Sequence, residues 1–359
     1  MFRRRYSPLP EIHAKRIALI KPSALGDIIH SLPVLEALRV RFPNAHISWI
    51  VNRSYESLLR GHPALDETIP IDRQVFKKGL GSAWRSLVQL VGTLRRARFD
   101  LTIDLQGLLR SGLIAAFTSS SRRVGLATAR EGSRYFYTDI IPMPHGMVEH
   151  AVDRSWRVAE AFGVGELPKK FRLAIPDEAR EWALAELRSC PRPWLAFGVG
   201  ARWLTKRWPT ASFAVLAKRA QKKFGGTVLF VGAADESPLA KEVSDKLEGP
   251  WRDYTGRTSL PQLASLLEQA DMMAANDTGP LHLAAALGRP VVAPYTCTQV
   301  SRHGPYGVTR GAVESSVWCQ GSYVRKCDRL ECMTELHADR LWFFLNELLD
   351  TWSRNSRSA

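Results

Sequence analysis

Short, wholly apolar runs alternate with stretches of helical periodicity along this chain, and that alternation leaves few architectures open. Arg16-Ile-Ala-Leu-Ile-Lys21 reads as a buried strand. It is followed by the turn Pro22-Ser-Ala-Leu-Gly-Asp27 and a helix whose apolar positions Leu32, Leu35, Leu38 and Val40 lead to Pro43. His46–Val51 is a second strand, and Phe99–Asp104 a third that feeds the loop Leu105-Gln106-Gly107 and a helix over Leu108–Phe117. Strands alternating with helices imply parallel sheet joined by right-handed crossovers. After a link from Phe171 through Pro176 to Pro193 the pattern restarts. Strands are expected at Trp194–Phe197, Thr227–Val231, Asp271–Ala275 and, as the last, Pro290–Ala293, with helices at Ala211–Phe224, Pro238–Leu247, Leu260–Gln269 and Pro280–Leu287. An amphipathic helix over Asp339–Trp352 closes the chain.

With 359 residues the chain is long enough for two such domains, each with its own core. The expected fold is α/β: a doubly wound, Rossmann-like parallel-sheet domain over residues 1–175 and a second over 176–338, facing each other across a central cleft. Residues 339–359 are expected to pack back across both. Two successive domains of this kind form the GT-B architecture. Hydrophobic residues are 45% and charged residues 24%, an ordinary globular balance. After the basic start Met1-Phe2-Arg3-Arg4-Arg5 the first apolar stretch, Ile17–Ile20, is too short for a signal peptide, so a cytoplasmic protein is expected. The net charge of +15 favours polyanions: nucleic acid, an anionic membrane face or a phosphorylated substrate, against the plain alternative of a solvated basic surface. The absence of any base-reading module sets nucleic acid aside. Five cysteines without a secretory signal read as reduced thiols. The C-x7-C-x4-C spacing of Cys319, Cys327 and Cys332 lacks the paired spacing of a zinc site.

Three segments carry chemistry. In Ser23-Ala-Leu-Gly-Asp27, Gly26 permits close approach of a substrate, and Asp27 is either an N-cap or a general base that takes a proton from an attacking hydroxyl. His30, one turn later, is a weaker candidate base. In Thr205-Lys-Arg-Trp-Pro209, Lys206 and Arg207 are either a solvated basic loop or two cations that neutralise a diphosphate leaving group. In Asn276-Asp277-Thr278-Gly279-Pro280-Leu281-His282 an acid and a hydroxyl precede a helix start whose amides accept phosphate, with His282 about one turn further on. The pair Gly198-Val-Gly200 is followed by Trp203 where a dinucleotide fingerprint needs its third glycine, and Gln221 and Lys222 stand where it needs an acid. An oxidoreductase is therefore disfavoured. No phosphate-loop motif and no Asp-x-Asp metal pair is found, so neither a metal nor a cofactor is expected.

Taken together, Lys21–Asp27 with Ile28-Ile-His-Ser-Leu-Pro33, Asp104-Leu-Gln-Gly107, Lys206–Pro209 and Asn276–His282 through Pro290 resemble the ADP-heptose:lipopolysaccharide heptosyltransferases of glycosyltransferase family 9. The resemblance spans Arg16 to about Gly307. It implies a GT-B fold, inversion at the anomeric carbon and no required metal. It makes Asp27 the catalytic base and Lys206 the diphosphate contact, with Asp277, Thr278 and Gly279 holding the donor and His282 beside them. Thr205 joins the donor side. Either Asp235 or Glu236, of which Glu236 is preferred, resembles the acid that holds the ribose hydroxyls. Gly26, Gln106 and Arg110 fall on the acceptor side, and charge adds Lys77, Lys78, Arg122 and Arg123 as contacts for an anionic acceptor. The implied partners are ADP-heptose, a lipopolysaccharide inner-core acceptor and the cytoplasmic face of the inner membrane, approached by electrostatics. Two rivals remain: a relative using another nucleotide sugar or acceptor, and a non-catalytic nucleotide-sugar-binding protein. The sequence departs from the family at Thr296-Cys-Thr-Gln-Val300, where Gly-Pro-Thr is common.

Overall fold

The computed structural model describes residues 8–72 and 80–357, and the chain divides into two compact units, Met1–Ala174 and Ile175–Ala359. In the first unit β1 (Arg16–Ile20), β2 (His46–Asn52), β3 (Glu67–Ile71), β4 (Leu101–Asp104), β5 (Arg122–Leu126) and β6 (Asp139–Ile141) form one six-stranded sheet. Its order is β3-β2-β1-β4-β5-β6, with every pairing parallel. The second unit repeats the plan. There β7 (Trp194–Gly198), β8 (Thr227–Phe230), β9 (Trp251–Asp253), β10 (Met272–Ala275), β11 (Val291–Tyr295) and β12 (Ala312–Glu314) take the order β12-β11-β10-β7-β8-β9. Counted from each unit's own first strand the two orders are the same. Each therefore has a switch point, between β1 and β4 and between β7 and β10, where successive connections leave in opposite directions and a crevice opens at the carboxyl ends of the strands.

Burial on both faces explains why the central strands are mostly apolar. Ile17 and Leu19 of β1 join Leu35, Leu38, Trp49, Ile103 and Phe162 on one side of the sheet. Ala18 and Ile20, one pleat removed, join Ile50, Phe99 and Ala115 on the other. In the second unit Leu195, Phe197 and Phe230 pack with Trp208 and Phe213. The terminal helix Ala338–Arg357 completes that core with Leu341, Leu345 and Leu349, four residues apart and all fully buried. Its polar face is tied to the same unit: Lys223 pairs with Asp350 at 3.0 Å, and the Trp352 indole N–H donates to Asp271 at 2.9 Å.

Some elements differ from the sequence reading. The single helix expected from Asp27 to Pro43 is two, Leu25–Ile29 and Leu32–Arg41, the second opening with Pro33 in its first turn. The strand after Pro290 is not the last, because β12 follows it. The strands β3, β5, β6, β9 and β12 escape an apolar-run search because they are three to five residues long and carry charges, as in Arg122-Arg-Val and Trp251-Arg-Asp. Helices Leu80–Arg96, Ala151–Ala161 and Asp177–Leu187 are likewise additional.

Leu345 makes the terminal helix a structural part of the second unit. Leu345→Ala is expected to cost about 2–5 kcal/mol, read as a lower denaturant midpoint in urea unfolding, and a loss under 1 kcal/mol would show that the helix is dispensable.

Candidate functional site

The site elements of each unit lie at its switch point. In the first unit β1 runs into Pro22–Ala24 and the short helix Leu25–Ile29. Asp27 is not an N-cap. It is the third helical residue, and its Oδ2 reaches back to accept the Ala24 amide at 2.9 Å, which is half of a capping box. Its Oδ1 has no protein partner among the described residues, so one carboxylate oxygen is fixed and the other is left to act. His30 is 5% exposed, its ring 5.3 Å from that of His150.

Beside β1, the end of β4 carries Asp104. Its carboxylate accepts the amides of Gln106 and Gly107 at 2.8 and 3.1 Å and the Tyr137 hydroxyl at 2.6 Å. Burial raises the Asp104 pKa even against these hydrogen bonds. Asp104 thus shapes the turn that presents Gln106, whose Oε1 is a buried acceptor without a hydrogen-bond partner among the described residues. Arg110 is exposed on the helix that follows.

The basic residues chosen by charge alone fare differently. Arg122 and Arg123 are the first two residues of β5, at the amino end of a parallel strand and so at the sheet edge opposite the Asp27 loop. Arg122 is 8% exposed and makes a two-pronged pair with Asp139, at 2.9 and 2.7 Å. Arg123 donates to the carbonyls of Phe136 and Ser120. Both are structural, which corrects their assignment to an acceptor. Lys77 and Lys78 lie outside the described residues.

In the second unit the loops after β7 and β10 are bound together by Asn276, which is fully buried. Its Nδ2 donates to the Val199 and Gly200 carbonyls at 2.9 and 3.2 Å, and its Oδ1 accepts the Trp208 amide at 3.0 Å. Next along the chain, the Asp277 carboxylate accepts from Lys206 Nζ at 2.5 Å and Thr298 Oγ1 at 2.7 Å, and lies 3.2 Å from His282 Nε2. Burial alone would raise the Asp277 pKa. The His282 hydrogen bond and the Lys206 ammonium outweigh it and hold the carboxyl well below the usual carboxylate range. Asp277 is therefore a fixed anion that aims Lys206.

Thr278 precedes the helix Gly279–Ala286 in an extended conformation and places no side chain on its first turn. The first amides, with Pro280 contributing none, remain open to an anion. Thr205, expected on the donor side, is 3% exposed and gives its hydroxyl to the Val324 carbonyl at 2.6 Å. It braces the loop from behind. Arg207 likewise holds the Ala201 carbonyl at 2.9 Å.

Of the two candidate acids after β8, Asp235 is exposed and Glu236 turns inward. The Glu236 Oε2 accepts the Ala233 amide at 2.9 Å. A Cβ on Gly200 would stand 2.2 Å from Glu236 Cδ, and one on Gly232, at φ +157, would stand 2.3 Å from Oε2. Both glycines exist to make room for this carboxylate, whose pKa burial raises. Asn276 and Asp277 could be found from their motif, but Thr298, Gly232 and Trp203 carry no local signal of their place here. Among the described residues no cluster of three or more His, Cys, Asp or Glu is arranged to hold a metal, and all five cysteines are free thiols.

A family model, glycosyltransferase family 9 (heptosyltransferase), matches residues 87–333. The chain is 30% identical over 325 residues to lipopolysaccharide heptosyltransferase 1 of Pseudomonas aeruginosa, covering 87% of each protein. Among solved structures, a glycosyl transferase family 9 protein from Veillonella parvula superposes with a TM-score of 0.80 at 23% identity, covering 93% of this chain and 97% of that one. An E. coli heptosyltransferase solved with ADP gives 0.72 at 22% identity, covering 93% and 99%. These likenesses show the fold to be that of GT-B transferases, with two Rossmann-like units.

Asn276→Ala would leave two carbonyls and one amide unpaired in a site closed to water. At about 1–3 kcal/mol for each stranded group, we expect a loss of at least about 3 kcal/mol in chemical denaturation. A change under 1 kcal/mol would mean that the two loops hold their shape without it.

Proposed function

The chain belongs to glycosyltransferase family 9 and is a glycosyltransferase; from that premise we propose that it transfers heptose from ADP-heptose to the anionic inner core of lipopolysaccharide, with inversion, without a required metal, and with Asp27 as general base. The observation that carries the reading is the Lys206–Asp277 pair, 2.5 Å apart, beside the uncapped first turn of the helix Gly279–Ala286. A buried carboxylate that aims an ammonium toward open helix amides is an arrangement for receiving a departing diphosphate. The names of the relatives add the sugar: the Pseudomonas aeruginosa protein is a lipopolysaccharide heptosyltransferase, and an E. coli neighbour was solved with ADP.

In the proposed reaction the acceptor hydroxyl loses its proton to Asp27 Oδ1, the oxygen that no group among the described residues holds. The oxygen attacks the anomeric carbon from the face opposite the diphosphate, the new C–O bond forms as the old one breaks, and ADP departs with the bonding electrons. Lys206 and the amides of Gly279 and Leu281 take up the charge that develops on the leaving oxygen, the work a divalent ion performs in metal-dependent transferases. Glu236 accepts hydrogen bonds from the ribose. Gln106, with its unpartnered Oε1, accepts one from an acceptor hydroxyl. Gly26 and Arg110 flank the acceptor, and Thr278 and His282 complete the donor side.

An acceptor embedded in lipid brings the enzyme to a membrane face. Among the described residues no helix is long and apolar enough to cross a membrane. The helix Leu80–Arg96 instead exposes Trp84 and Val88, one turn apart, beside exposed Arg85. Such a face suits peripheral attachment to the anionic cytoplasmic leaflet, reinforced by the net charge of +15.

Asp27→Asn is expected to leave the ADP dissociation constant within twofold of wild type and to lower kcat at least a hundredfold, with activity retained in EDTA. Wild-type turnover in the variant would remove the base assignment, and activity lost in EDTA and regained with a divalent ion would remove metal independence. Co-sedimentation with vesicles containing 30% anionic lipid should fall on adding 0.5 M salt and fall again for Trp84→Ala. Binding indifferent to both would sink the membrane reading.

A further inference from the structure

At the proposed donor site around Asp277, two of the cations already face carboxylates. Lys206 is matched by Asp277 at 2.5 Å, and Arg207 stands near the Glu236 carboxylate. A nucleoside diphosphate brings at least two negative charges and gains another as it leaves, more than Lys206, already paired with Asp277, and the helix amides answer alone. A cation not already claimed by a carboxylate is needed, and the chain supplies one from far along the sequence.

Arg325 lies over the indole of Trp203, its Cζ 4.7 Å from the ring centroid. The ammonium of Lys206 lies 4.9 Å from the same centroid. Arg325 is exposed and has no carboxylate partner among the described residues. Two cations gathered on one ring repel each other, and the indole's negative faces offset this only in part. An anion bound beside them removes the cost.

Arg325 is also held in position rather than left to wander. The carbonyl of Val324, its neighbour, accepts the Thr205 hydroxyl at 2.6 Å, one residue from Lys206. The Tyr323 amide donates to the Cys297 carbonyl at 2.8 Å, next to the Thr298 that donates to Asp277. Gln320 Nε2 donates to the Thr298 carbonyl at 3.0 Å. Tyr323 takes φ +58, a left-handed conformation rare for a bulky residue, and its ring lies under Arg302 at 4.8 Å and edge-on to His303 at 5.6 Å. These contacts turn the segment so that Arg325 follows directly onto Trp203.

We infer that Arg325 is a second cation for the diphosphate of the nucleotide donor, sharing Trp203 with Lys206 and supplying the charge that the Lys206–Asp277 pair does not. The inference deepens the proposed donor site and rests on that reading. With a planar fork, Arg325 can grip two phosphate oxygens at once, whereas Lys206 acts as a point charge on the bond that breaks.

The test is calorimetric titration of the full-length protein with ADP and with AMP, alongside the acceptor KM. For Arg325→Ala the ADP dissociation constant should rise about tenfold, with AMP changed less than twofold and the acceptor KM unchanged. Arg325→Lys should recover part of the ADP affinity, and Lys246→Ala, an exposed charge elsewhere in the unit, should change nothing. Equal weakening of ADP and AMP would show a merely structural role. ADP affinity within twofold of wild type, or a rise confined to the acceptor KM, would overturn the assignment. A wild-type protein that fails to bind ADP at all would instead overturn the nucleotide-donor reading beneath it.

Discussion

Three hydrogen bonds made by one side chain hold the loops after β7 and β10 in shape. Asn276 sits at the carboxyl end of β10, grips the chain leaving β7 through two carbonyls, and accepts the amide of Trp208. Without that grip the β7 loop would have no fixed path, Lys206 would not meet Asp277, and Gly200 would not lie against Glu236. The amide side chain is suited to the task because it donates twice and accepts while remaining neutral at full burial, where a carboxylate would need a counter-charge. Asp277, one residue on, is the counter-example: it is charged and buried, and every oxygen it exposes to the interior is answered by Lys206, His282 or Thr298.

The same strand order carries loops of opposite polarity in the two units. At the first switch point the groups left unanswered are acceptors, Asp27 Oδ1 and Gln106 Oε1. At the second they are donors: the open amides behind Thr278 and the cations on Trp203. In the proposed reaction, acceptors suit the hydroxyl that loses a proton and donors suit the diphosphate that gains charge. Fold alone does not distinguish them; the loop residues do.

Legibility in the sequence followed the range of each interaction. The mostly apolar β1, β4, β7 and β10 are legible in the sequence, and so are the loops that follow them, because a strand–loop–helix junction is a local pattern. Asp27 was visible as a polar residue at a helix start, although its place at the third helical position was not. The union of Lys206 with Asp277 was not legible from spacing, since 71 residues separate them and only the β7–β10 pairing brings them together. Charge was the poorest guide. Arg122 and Arg123 look like a basic patch in the sequence, but a strand places them at the wrong end of the sheet and Asp139 neutralises the first. The short strands β5, β6, β9 and β12 were hidden for the same reason, being held by their neighbours rather than by their own composition.

The bracing of Thr205 by Val324 and of Trp208 by the Leu336 carbonyl, 2.8 Å from its indole nitrogen, joins a loop to chain more than a hundred residues downstream. Such a loop is not a portable cassette. Domain shuffling between relatives that cut between β11 and the terminal helix would hand the recipient a β7 loop without its buttress. Recombination, in the laboratory or in descent, is thereby steered to breakpoints that keep residues 194–336 as one inheritance.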